Sequence, residues 1–224
     1  DKAIEKIRKS LELAVKNSGV KTIYKEACID GKLIKTNSET YNAKEIIVAT
    51  GSKPREVRGL EFDGEFILSS DDILNIKTLP KSVLIVGSGA IGTEWARILS
   101  NFDVEVSIVE MAEHLVPAAD IEVSKRVERI FKQKKVKFYL NDCIAEIKNK
   151  TAVLRSGAEI TPDFILVAVG REAICPVCNS SVIGDACGEI QLAHYAIHQA
   201  KALALGIPFD KNLVPSVIYG EPEI

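Results

Sequence analysis

One continuous stretch, from Val83 to Glu110, restricts the possible fold more than any other part of the chain. It begins with an apolar run typical of a strand buried on both faces of a parallel sheet, and Gly87, Gly89 and Gly92 follow at G-x-G-x-x-G spacing. A helix and a second apolar strand come next. Their apolar residues are Ile91, Trp95, Ile98, Leu99 and Phe102 in the helix and Val104, Val106, Ile108 and Val109 in the strand. This order predicts a dinucleotide-binding βαβ unit in which free N–H groups of the helix meet a phosphate.

The three glycines and the final acid each have a separate predicted role. Gly87 permits the tight turn, Gly89 leaves room for a pyrophosphate, and Gly92 lets the helix pack closely on the strand. Glu110 ends the second strand, where a carboxylate accepts hydrogen bonds from the adenine-ribose hydroxyls and repels a 2′-phosphate. We therefore expect NAD rather than NADP; the alternative is a glycine turn that binds no ligand. The predicted NAD site comprises Gly87, Ser88, Gly89, Ala90, Ile91, Gly92, Thr93 and Glu110.

The composition is that of a globular protein. The 224 residues are 46% hydrophobic and 27% charged, which is enough to bury one or two cores, and the net charge is −2. A surface with this charge does not attract nucleic acid or an anionic membrane, so we expect neither as a partner. The sequence shows no signal peptide and no apolar run of membrane length. It opens on Asp1 inside an amphipathic helix and lacks an initial methionine, so we expect a fragment.

Upstream of the glycine turn, the chain is predicted to form a β-hairpin and a buried strand. Thr22–Ile29 and Lys32–Thr36 flank the pair Asp30-Gly31, which favours a type I′ hairpin turn. The continuously apolar run Ile46–Ala49 is typical of a central parallel strand. A short helix capped by a serine, at position 69 or 70, is expected before Pro80, where we place the start of a new domain.

Downstream of the glycine turn, a helix, a strand and a β-meander are predicted to complete an α/β domain. The meander turns at Ser156-Gly157, and a buried strand then leads to Gly170. A final helix from about Gln191 is expected to end at Gly206 in the usual C′ position. The predicted elements are a helical face of Val123, Val127, Ile130 and Phe131, and strands Val136–Leu140, Cys143–Lys148, Thr151–Leu154, Ala158–Ile160 and Phe164–Val169.

The cysteines and histidines leave several interpretations open. The cysteines are Cys28, Cys143, Cys175, Cys178 and Cys187. They form no even disulfide framework, which favours a reducing cytoplasm. The pair in CPVC is typical of half a zinc site, a redox pair or two unrelated thiols, and we favour the last because no further zinc ligands follow. His194 and His198 stand four apart without a third ligand, so we predict no metal site.

Four motifs stand in one order along the chain. They are EIIVATGSKP at 45–54, VGSGAIGTE at 86–94, AVGR at 168–171 and VIGDACGEIQLAH at 182–194. Together they resemble the flavoprotein pyridine-nucleotide disulfide oxidoreductases, and the dihydrolipoamide-oxidising members fit best because Glu110 disfavours the NADPH-using ones. The resemblance implies an α/β fold of two Rossmann-like FAD/NAD(P)-binding domains with three-stranded β-meanders, the NAD domain being inserted in the FAD domain. The implied boundaries are 1–79 and 171–213 for the FAD domain, 80–170 for the NAD domain and 214–224 for the start of a dimerisation domain.

The resemblance also assigns cofactor roles to residues outside the glycine turn. Glu94 matches a glutamate near the nicotinamide, Ile144 matches a position that packs on adenine, and Gly170 matches a glycine beside NAD. Asp185 would accept a hydrogen bond from the FAD ribityl chain; the alternative is a strand-end aspartate that caps the next helix. The implied FAD residues are Thr50, Gly51, Ser52, Asp185, Gln191, Leu192, Ala193 and His194.

The implied activity is electron transfer from dihydrolipoamide through a disulfide and FAD to NAD. The resemblance implies a cytoplasmic homodimer that serves the lipoyl domain of a 2-oxoacid dehydrogenase or glycine cleavage complex. The chain carries neither a second G-x-G-x-x-G nor a C-x4-C pair. We therefore expect it to bind NADH without oxidising dihydrolipoamide. Two alternatives remain, a fragment of a flavoprotein NADH oxidase or peroxidase and a non-catalytic module that binds NADH as a signal.

Overall fold

The fold is seen in a computed structural model that describes residues 2–176, 180–220 and 223. These residues divide into two compact units. The first comprises residues 2–47, 176, 180 and 181, and the second comprises residues 48–175, 182–220 and 223. The second unit therefore contains the whole stretch from Val83 to Glu110.

The first unit consists of a helix and a three-stranded antiparallel meander. Helix α1 spans Lys2–Asn17, and strands β1 (Cys28–Asp30), β2 (Leu33–Lys35) and β3 (Thr40–Asn42) pair in the order β1-β2-β3. None of the residues of α1 is buried, although Ile4, Ile7 and Leu11 repeat along one helical face. The apolar side chains of this face are therefore exposed.

The hairpin of the first unit turns one residue later than the sequence predicts. Asp30 pairs with Leu33, so the turn residues are 31 and 32 rather than Asp30-Gly31, and Gly31 adopts a φ of +60°. Asp30 remains in β1, where its carboxylate forms an ion pair with Lys35. The predicted strand Thr22–Ile29 is also wrong in its extent, because only residues 28–30 pair with β2.

The rest of the chain contributes twelve strands, three α-helices and three short 3₁₀ turns among the residues that the structure describes. The strands are β4 (Ile47–Val48), β5 (Ser52–Pro54), β6 (Ile67–Leu68), β7 (Ser82–Val86), β8 (Glu105–Val109), β9 (Lys137–Tyr139), β10 (Ile144–Lys148), β11 (Thr151–Leu154), β12 (Glu159–Ile160), β13 (Phe164–Val167), β14 (Arg171–Ala173) and β15 (Ser181–Val182). The helices are α2 (Ala90–Ser100), α3 (Ile121–Gln133) and α4 (Ala193–Leu205), and the 3₁₀ turns are Asp72–Asn75, Gly184–Cys187 and Lys211–Leu213.

A five-stranded parallel sheet forms the core of the second unit. Its strand order is β6-β13-β7-β8-β9, and β7 pairs in register with β8 from Ser82 opposite Glu105 to Val86 opposite Val109. The apolar run of β7 is explained by this position, since a strand with neighbours on both edges and layers on both faces buries its central residues, here Val83, Leu84 and Ile85.

Both faces of the parallel sheet are covered. Val83 and Ile85 of β7 point into one apolar cluster, which includes Leu99 of α2 and Phe131 of α3. Leu84 belongs to a second cluster on the opposite face, together with Leu154 of the meander β10-β11-β12. Alternate side chains of a strand point to opposite faces, so the helices cover one face and the meander covers the other.

The apolar face of α2 differs from the predicted one. Leu99 is buried and Trp95 packs against the core, as expected, whereas Ile98 is 44% exposed and Phe102 is 61% exposed. Ile98 lies about 100° around the helix from Leu99, which turns it away from the sheet. Phe102 lies beyond the last helical residue, Ser100, so helical spacing does not apply to it.

The run Ile46–Ala49 does not form a central parallel strand. Only Ile47 and Val48 are in β4, which belongs to a two-stranded sheet, and Ile47 is exposed. A strand becomes central only when it has partners along both edges, and β4 has a single partner strand among the described residues. The apolar character of the run therefore identified a strand but not its place in a sheet.

The remaining predicted elements are confirmed with small changes at their ends. The predicted serine-capped helix is a 3₁₀ turn whose N-cap is Asp71 rather than a serine, although the hydroxyl of Ser69 accepts hydrogen bonds from the amides of Asp71 and Asp72. Helix α4 ends at Gly206, which adopts a φ of +63°. The parallel sheet and the β-meanders confirm the α/β fold class, whereas insertion of one domain in another stays a prediction.

Candidate functional site

The glycine turn stands at the carboxyl edge of the parallel sheet, between β7 and α2. Gly87 has a φ of +94° and donates its amide to the carbonyl of Val109 at 2.9 Å. A Cβ on Gly87 would lie 2.7 Å from the carbonyl oxygen of Ala168, which follows β13. The turn therefore requires glycine here for two reasons, the left-handed conformation and the close approach of a neighbouring strand.

The other two glycines of the motif differ in their surroundings. A Cβ on Gly92 would overlap the carbonyl oxygen of Gly87, so this glycine sets the close packing of α2 on the sheet. Gly89 is exposed, and no atom lies within 4 Å of the position of an added Cβ. Gly89 is also the N-cap of α2, where it offers no side chain to the first amides of the helix. An open surface and uncapped amides form an arrangement suited to a phosphate group.

Glu110 lies directly after β8 and reaches back to the glycine turn. Its Oε2 accepts hydrogen bonds from the amide and the hydroxyl of Ser88, at 2.7 and 2.8 Å. Its Oε1 accepts a hydrogen bond from the amide of Ala112 at 2.8 Å. The carboxylate is therefore held beside the turn by three donors, in the position where the sequence predicts contact with the adenine ribose.

Three other residues of the predicted NAD site occupy different positions around the turn. Ala90 is exposed at the start of α2, and Ile91 is half-buried and packs against the core. The hydroxyl of Thr93 is buried and donates to the carbonyl of Ser88 at 2.9 Å. Ala90 is thus accessible to a ligand, whereas Thr93 supports the turn from inside the protein.

Glu94 lies on α2 next to a segment that sequence reasoning did not connect with it. Its Oε1 accepts a hydrogen bond from the amide of Tyr219 at 2.9 Å, and the neighbouring Ile218 packs against the core of the parallel sheet. The family resemblance implies instead that residues 214–224 start another domain. No local sequence signal marks this contact, because the two residues are far apart in the chain.

Ile144 lies in the antiparallel meander and Gly170 follows the parallel strand β13, and no hydrogen bond recorded for the described residues joins either of them to Glu110. Ile144 opens β10, pairs with Leu154 and packs in the apolar cluster beneath the meander. Gly170 has a φ of +99°, and its carbonyl accepts a hydrogen bond from the amide of Arg55 at 3.1 Å. Gly170 follows the strand whose end touches Gly87, so it borders the glycine turn.

The structure brings together two of the predicted FAD segments. The hydroxyl of Ser52 donates to Oδ2 of Asp185 at 2.7 Å. Gly51 has a φ of +76°, and its carbonyl accepts a hydrogen bond from the amide of Ile174 at 2.9 Å. The hydroxyl of Thr50 donates to the carbonyl of the same isoleucine. The first and last FAD motifs therefore meet at one polar contact.

Arg171 also contacts these segments, and its position in the AVGR motif did not predict its hydrogen-bond partners. Its Nε and Nη2 donate to the hydroxyl and the carbonyl of Ser52 at 2.8 and 2.9 Å. Its Nη1 donates to the hydroxyl of Ser70 at 3.2 Å and to Oδ1 of Asp71 at 2.9 Å. One guanidinium thus joins the strand β5 to the 3₁₀ turn that follows β6.

The predicted FAD residues 191–194 lie at the start of α4 and are not joined to residues 50–52 by any described contact. Gln191 and Leu192 are half-buried, Ala193 is exposed, and Leu192 is the N-cap. A ring nitrogen of His194, Nε2, lies 2.7 Å from the carbonyl oxygen of Pro215.

The described part of the chain contains neither a cluster of metal-ligating side chains nor a helix that could span a membrane. No three His, Cys, Asp or Glu side chains there come close enough together to hold a metal ion. Cys175 is exposed, and Cys178 of the CPVC segment lies outside the described residues. The described helices also include none with the length and apolar character that crossing a bilayer requires.

Comparisons with curated proteins find dihydrolipoyl dehydrogenases. A dihydrolipoyl dehydrogenase of Bacillus subtilis is 34% identical over 220 residues, which cover 80% of this chain and 46% of that protein. A dihydrolipoyl dehydrogenase of Chlamydia pneumoniae is 29% identical and covers 99% of this chain and 56% of its own length. The chain thus spans about half the length of the curated relatives that it matches.

Solved structures with the same fold include LpdA and RclA. LpdA of Mycobacterium tuberculosis superposes with a TM-score of 0.83 at 20% identity, over 96% of this chain and 57% of LpdA. The HOCl-induced flavoprotein disulfide reductase RclA of Escherichia coli gives a TM-score of 0.78 at 20% identity, over 91% of this chain and 56% of RclA. At this identity the likeness shows the fold alone.

A family model covers most of the chain and includes the glycine turn, Glu110 and Arg171. The model is described as pyridine nucleotide-disulphide oxidoreductase, and it matches residues 2–182. The match extends over both compact units and includes the first three of the four sequence motifs. The chain therefore belongs to the pyridine nucleotide-disulphide oxidoreductase family.

Proposed function

We propose that this chain is the NAD-binding part of an NAD-dependent dihydrolipoamide dehydrogenase, which passes electrons from dihydrolipoamide through a disulfide and FAD to NAD. The observation that carries the proposal is the glycine turn at the carboxyl edge of the sheet, which is open at Gly89 and has Glu110 held beside it. Family membership and the names of the 34% and 29% identical relatives support the enzyme class.

The residues at the turn fit an NAD molecule. The open space over Gly89 and the uncapped amides of α2 suit the pyrophosphate, and the carboxylate of Glu110 suits an unphosphorylated ribose. We place Gly170 beside the bound cofactor, Ile144 against the adenine and Glu94 near the nicotinamide.

The segments around Asp185 fit part of a flavin site. Gly51 has a backbone conformation suited to glycine and open space at its Cα, so a ligand can approach the chain there. We assign Thr50, Ser52 and the start of α4 to the same FAD site, with Asp185 accepting a hydrogen bond from the ribityl chain. When bound, FAD and NAD supply the hydride-transfer chemistry. The task of the protein residues is to bind and orient the two cofactors.

We further propose that residues 80–170 form an NAD domain inserted between FAD-domain segments 1–79 and 171–213. The pairing of β5 with β14 supports this arrangement, because it places the incoming and outgoing chain side by side. Residues 214–224 would start a dimerisation domain, and the complete protein would be a homodimer in the cytoplasm. Its partner would be a lipoyl domain of a 2-oxoacid dehydrogenase or glycine cleavage complex.

The proposal is tested by titrating the chain with NADH and NADPH in a calorimeter. We expect measurable binding of NADH and weaker binding of NADPH, and Glu110→Ala should narrow the difference between their dissociation constants. The same chain should show no dihydrolipoamide-dependent reduction of NAD, because its sequence lacks a C-x4-C pair. Equal affinity of the unmodified chain for both nucleotides would contradict the proposal, and so would substantial turnover.

A further inference from the structure

We propose that Ser88 is a positioning residue that locks the carboxylate of Glu110 and thereby sets the preference for NAD over NADP. The inference rests on the proposed NAD site. It gives Ser88 a role that differs from direct contact with the cofactor, because its side chain is fully buried at 0% exposure.

The carboxylate of Glu110 is nearly saturated with hydrogen bonds from the protein. The amide and hydroxyl of Ser88 both donate to Oε2, at 2.7 and 2.8 Å, and the amide of Ala112 donates to Oε1 at 2.8 Å. A carboxylate offers roughly four lone-pair directions, so roughly one remains, and it is on Oε1. A ribose hydroxyl therefore meets a carboxylate whose orientation is already fixed.

A ligand hydroxyl cannot readily replace the hydroxyl of Ser88 as a hydrogen-bond donor to Glu110. In the described part of the chain, Oε2 of Glu110 is the acceptor recorded for this hydroxyl, whose oxygen also accepts from the amide of Val116 at 3.3 Å. Displacement would leave a buried donor without a partner, which is unfavourable. The hydroxyl therefore acts as a permanent support behind the carboxylate rather than as a competitor of the ribose.

Ser88 is itself held by further hydrogen bonds to its backbone carbonyl. The amide of Val116 donates to the carbonyl of Ser88 at 3.2 Å, and the hydroxyl of Thr93 donates to the same carbonyl at 2.9 Å. Val116 is buried and adopts a φ of +52°, which is unfavourable for a β-branched side chain. Such strain persists only where the surrounding contacts enforce it. The carboxylate and the serine therefore form one rigid assembly.

This rigidity has opposite consequences for the two nucleotides. A fixed carboxylate is already ordered for a ribose hydroxyl, so little conformational entropy is lost when NADH binds. The same carboxylate cannot rotate away from the 2′-phosphate of NADPH, so like-charge repulsion is retained. Without the hydroxyl of Ser88, two backbone donors remain, and the side chain of Glu110 gains freedom to turn aside.

The test is the ratio of the dissociation constants for NADPH and NADH, measured by calorimetry on the 224-residue chain. Ser88→Ala should raise the dissociation constant for NADH about fivefold, lower that for NADPH because the freed carboxylate can turn away from the 2′-phosphate, and so lower the ratio at least about fivefold. Ser88→Cys, which keeps the buried volume but is a weak donor, should act in the same direction. Ser107→Ala, a buried serine on β8 away from the carboxylate, should leave the ratio unchanged.

A double-mutant cycle separates this role from general damage to the turn. If Ser88 acts through Glu110, then Ser88→Ala in a Glu110→Ala background should change the dissociation constant for NADH less than about twofold. The same fivefold loss in both backgrounds would overturn the proposal. A second outcome would overturn the role of Ser88 but leave the proposed NAD site standing. In that outcome Ser88→Ala and Ser88→Cys leave the ratio of the two dissociation constants unchanged, whereas Glu110→Ala still narrows the difference between NADH and NADPH. A chain that binds neither nucleotide would overturn both.

Discussion

Arg171 holds Ser52 at two points, because its Nε donates to the hydroxyl at 2.8 Å and its Nη2 donates to the carbonyl at 2.9 Å. The third nitrogen reaches Asp71 and Ser70. A planar guanidinium can donate in all these directions at once, whereas a lysine ammonium cannot. Since Ser52 in turn donates to Asp185, the arginine also fixes the polar contact between the two predicted FAD segments.

We expect Arg171→Ala to lower the free energy of unfolding by about 2–3 kcal/mol, because several partly buried acceptors lose a charged donor. Arg171→Lys should recover less than half of this loss. Urea denaturation followed by circular dichroism measures both. Arg155→Ala is the matched control. The side chain of Arg155 is exposed, and the hydrogen bond recorded for its guanidinium goes to the carbonyl of Asn141. A loss in Arg171→Ala no larger than in this control would contradict the prediction.

Two glycines of the turn should respond differently to a methyl group. Gly92→Ala should lower the free energy of unfolding by about 3 kcal/mol or more, because the new Cβ overlaps the carbonyl of Gly87. Gly89→Ala should change it by less than about 0.5 kcal/mol, since the added atom meets open space. The dissociation constant of the Gly89→Ala variant for NADH should nevertheless rise about tenfold or more, because the added methyl group occupies the pyrophosphate position. Thermal melts of both variants measure the change in stability, and NADH titrations measure the change in binding. Unchanged NADH binding in Gly89→Ala would be evidence against the proposed site.

Adjacent residues of α2 provide a direct test of which helical face is buried. Leu99→Ala should lower the free energy of unfolding by about 2–5 kcal/mol, because Leu99 is 1% exposed in the core. Ile98→Ala should lower it by less than about 1 kcal/mol, because Ile98 is 44% exposed. Chemical denaturation of the two variants under one set of conditions gives the comparison. Similar losses at both positions would mean that the face predicted from spacing alone is the correct one.

Asp63 should make stability depend on pH in the acid range. Burial raises the pKa of its carboxyl, but hydrogen bonds from the amides of Glu65, Ile67 and Phe66 lower it by more, so the pKa lies below its ordinary 3.8. A lowered folded-state pKa stabilises the protein above the unfolded value, and this stability is lost as the pH falls through the folded value.

Asp63→Asn should therefore melt at a lower temperature than the unmodified chain at pH 7, and the difference should shrink below pH 3.8. Melting curves of both proteins at pH 7 and at roughly pH 3 measure this. Glu65→Gln, on the same turn, serves as the control and should show no such convergence. A melting difference that is independent of pH would rule out the carboxylate as the cause.

Local patterns were sufficient to predict the glycine turn and its sheet. The period of the apolar residues and the spacing of Gly87, Gly89 and Gly92 depend on neighbouring residues, so β7, α2 and β8 could be placed from the sequence. The position of Glu110 beside the turn followed from the register of two adjacent parallel strands. These features need no knowledge of the remaining chain.

Contacts between distant parts of the chain could not be predicted in this way. Nothing local indicates that the amide of Tyr219 reaches Glu94, or that Arg171 reaches Asp71. The left-handed conformation of Val116 could not be predicted either, because β-branched residues disfavour a positive φ. The tertiary contacts of the loop after Glu110 impose this conformation against the local preference.

The antiparallel pairing of β5 with β14 has a mechanical consequence. The strands share a register from Ser52 opposite Ala173 to Pro54 opposite Arg171, and the amide of Arg55 extends it to the carbonyl of Gly170. Two strands joined in this way bend together across their flat face and resist shear along their length. We therefore expect the segment between β5 and β14 to move as a hinged unit, by bending of this two-stranded ribbon across its flat face rather than by sliding of one strand along the other.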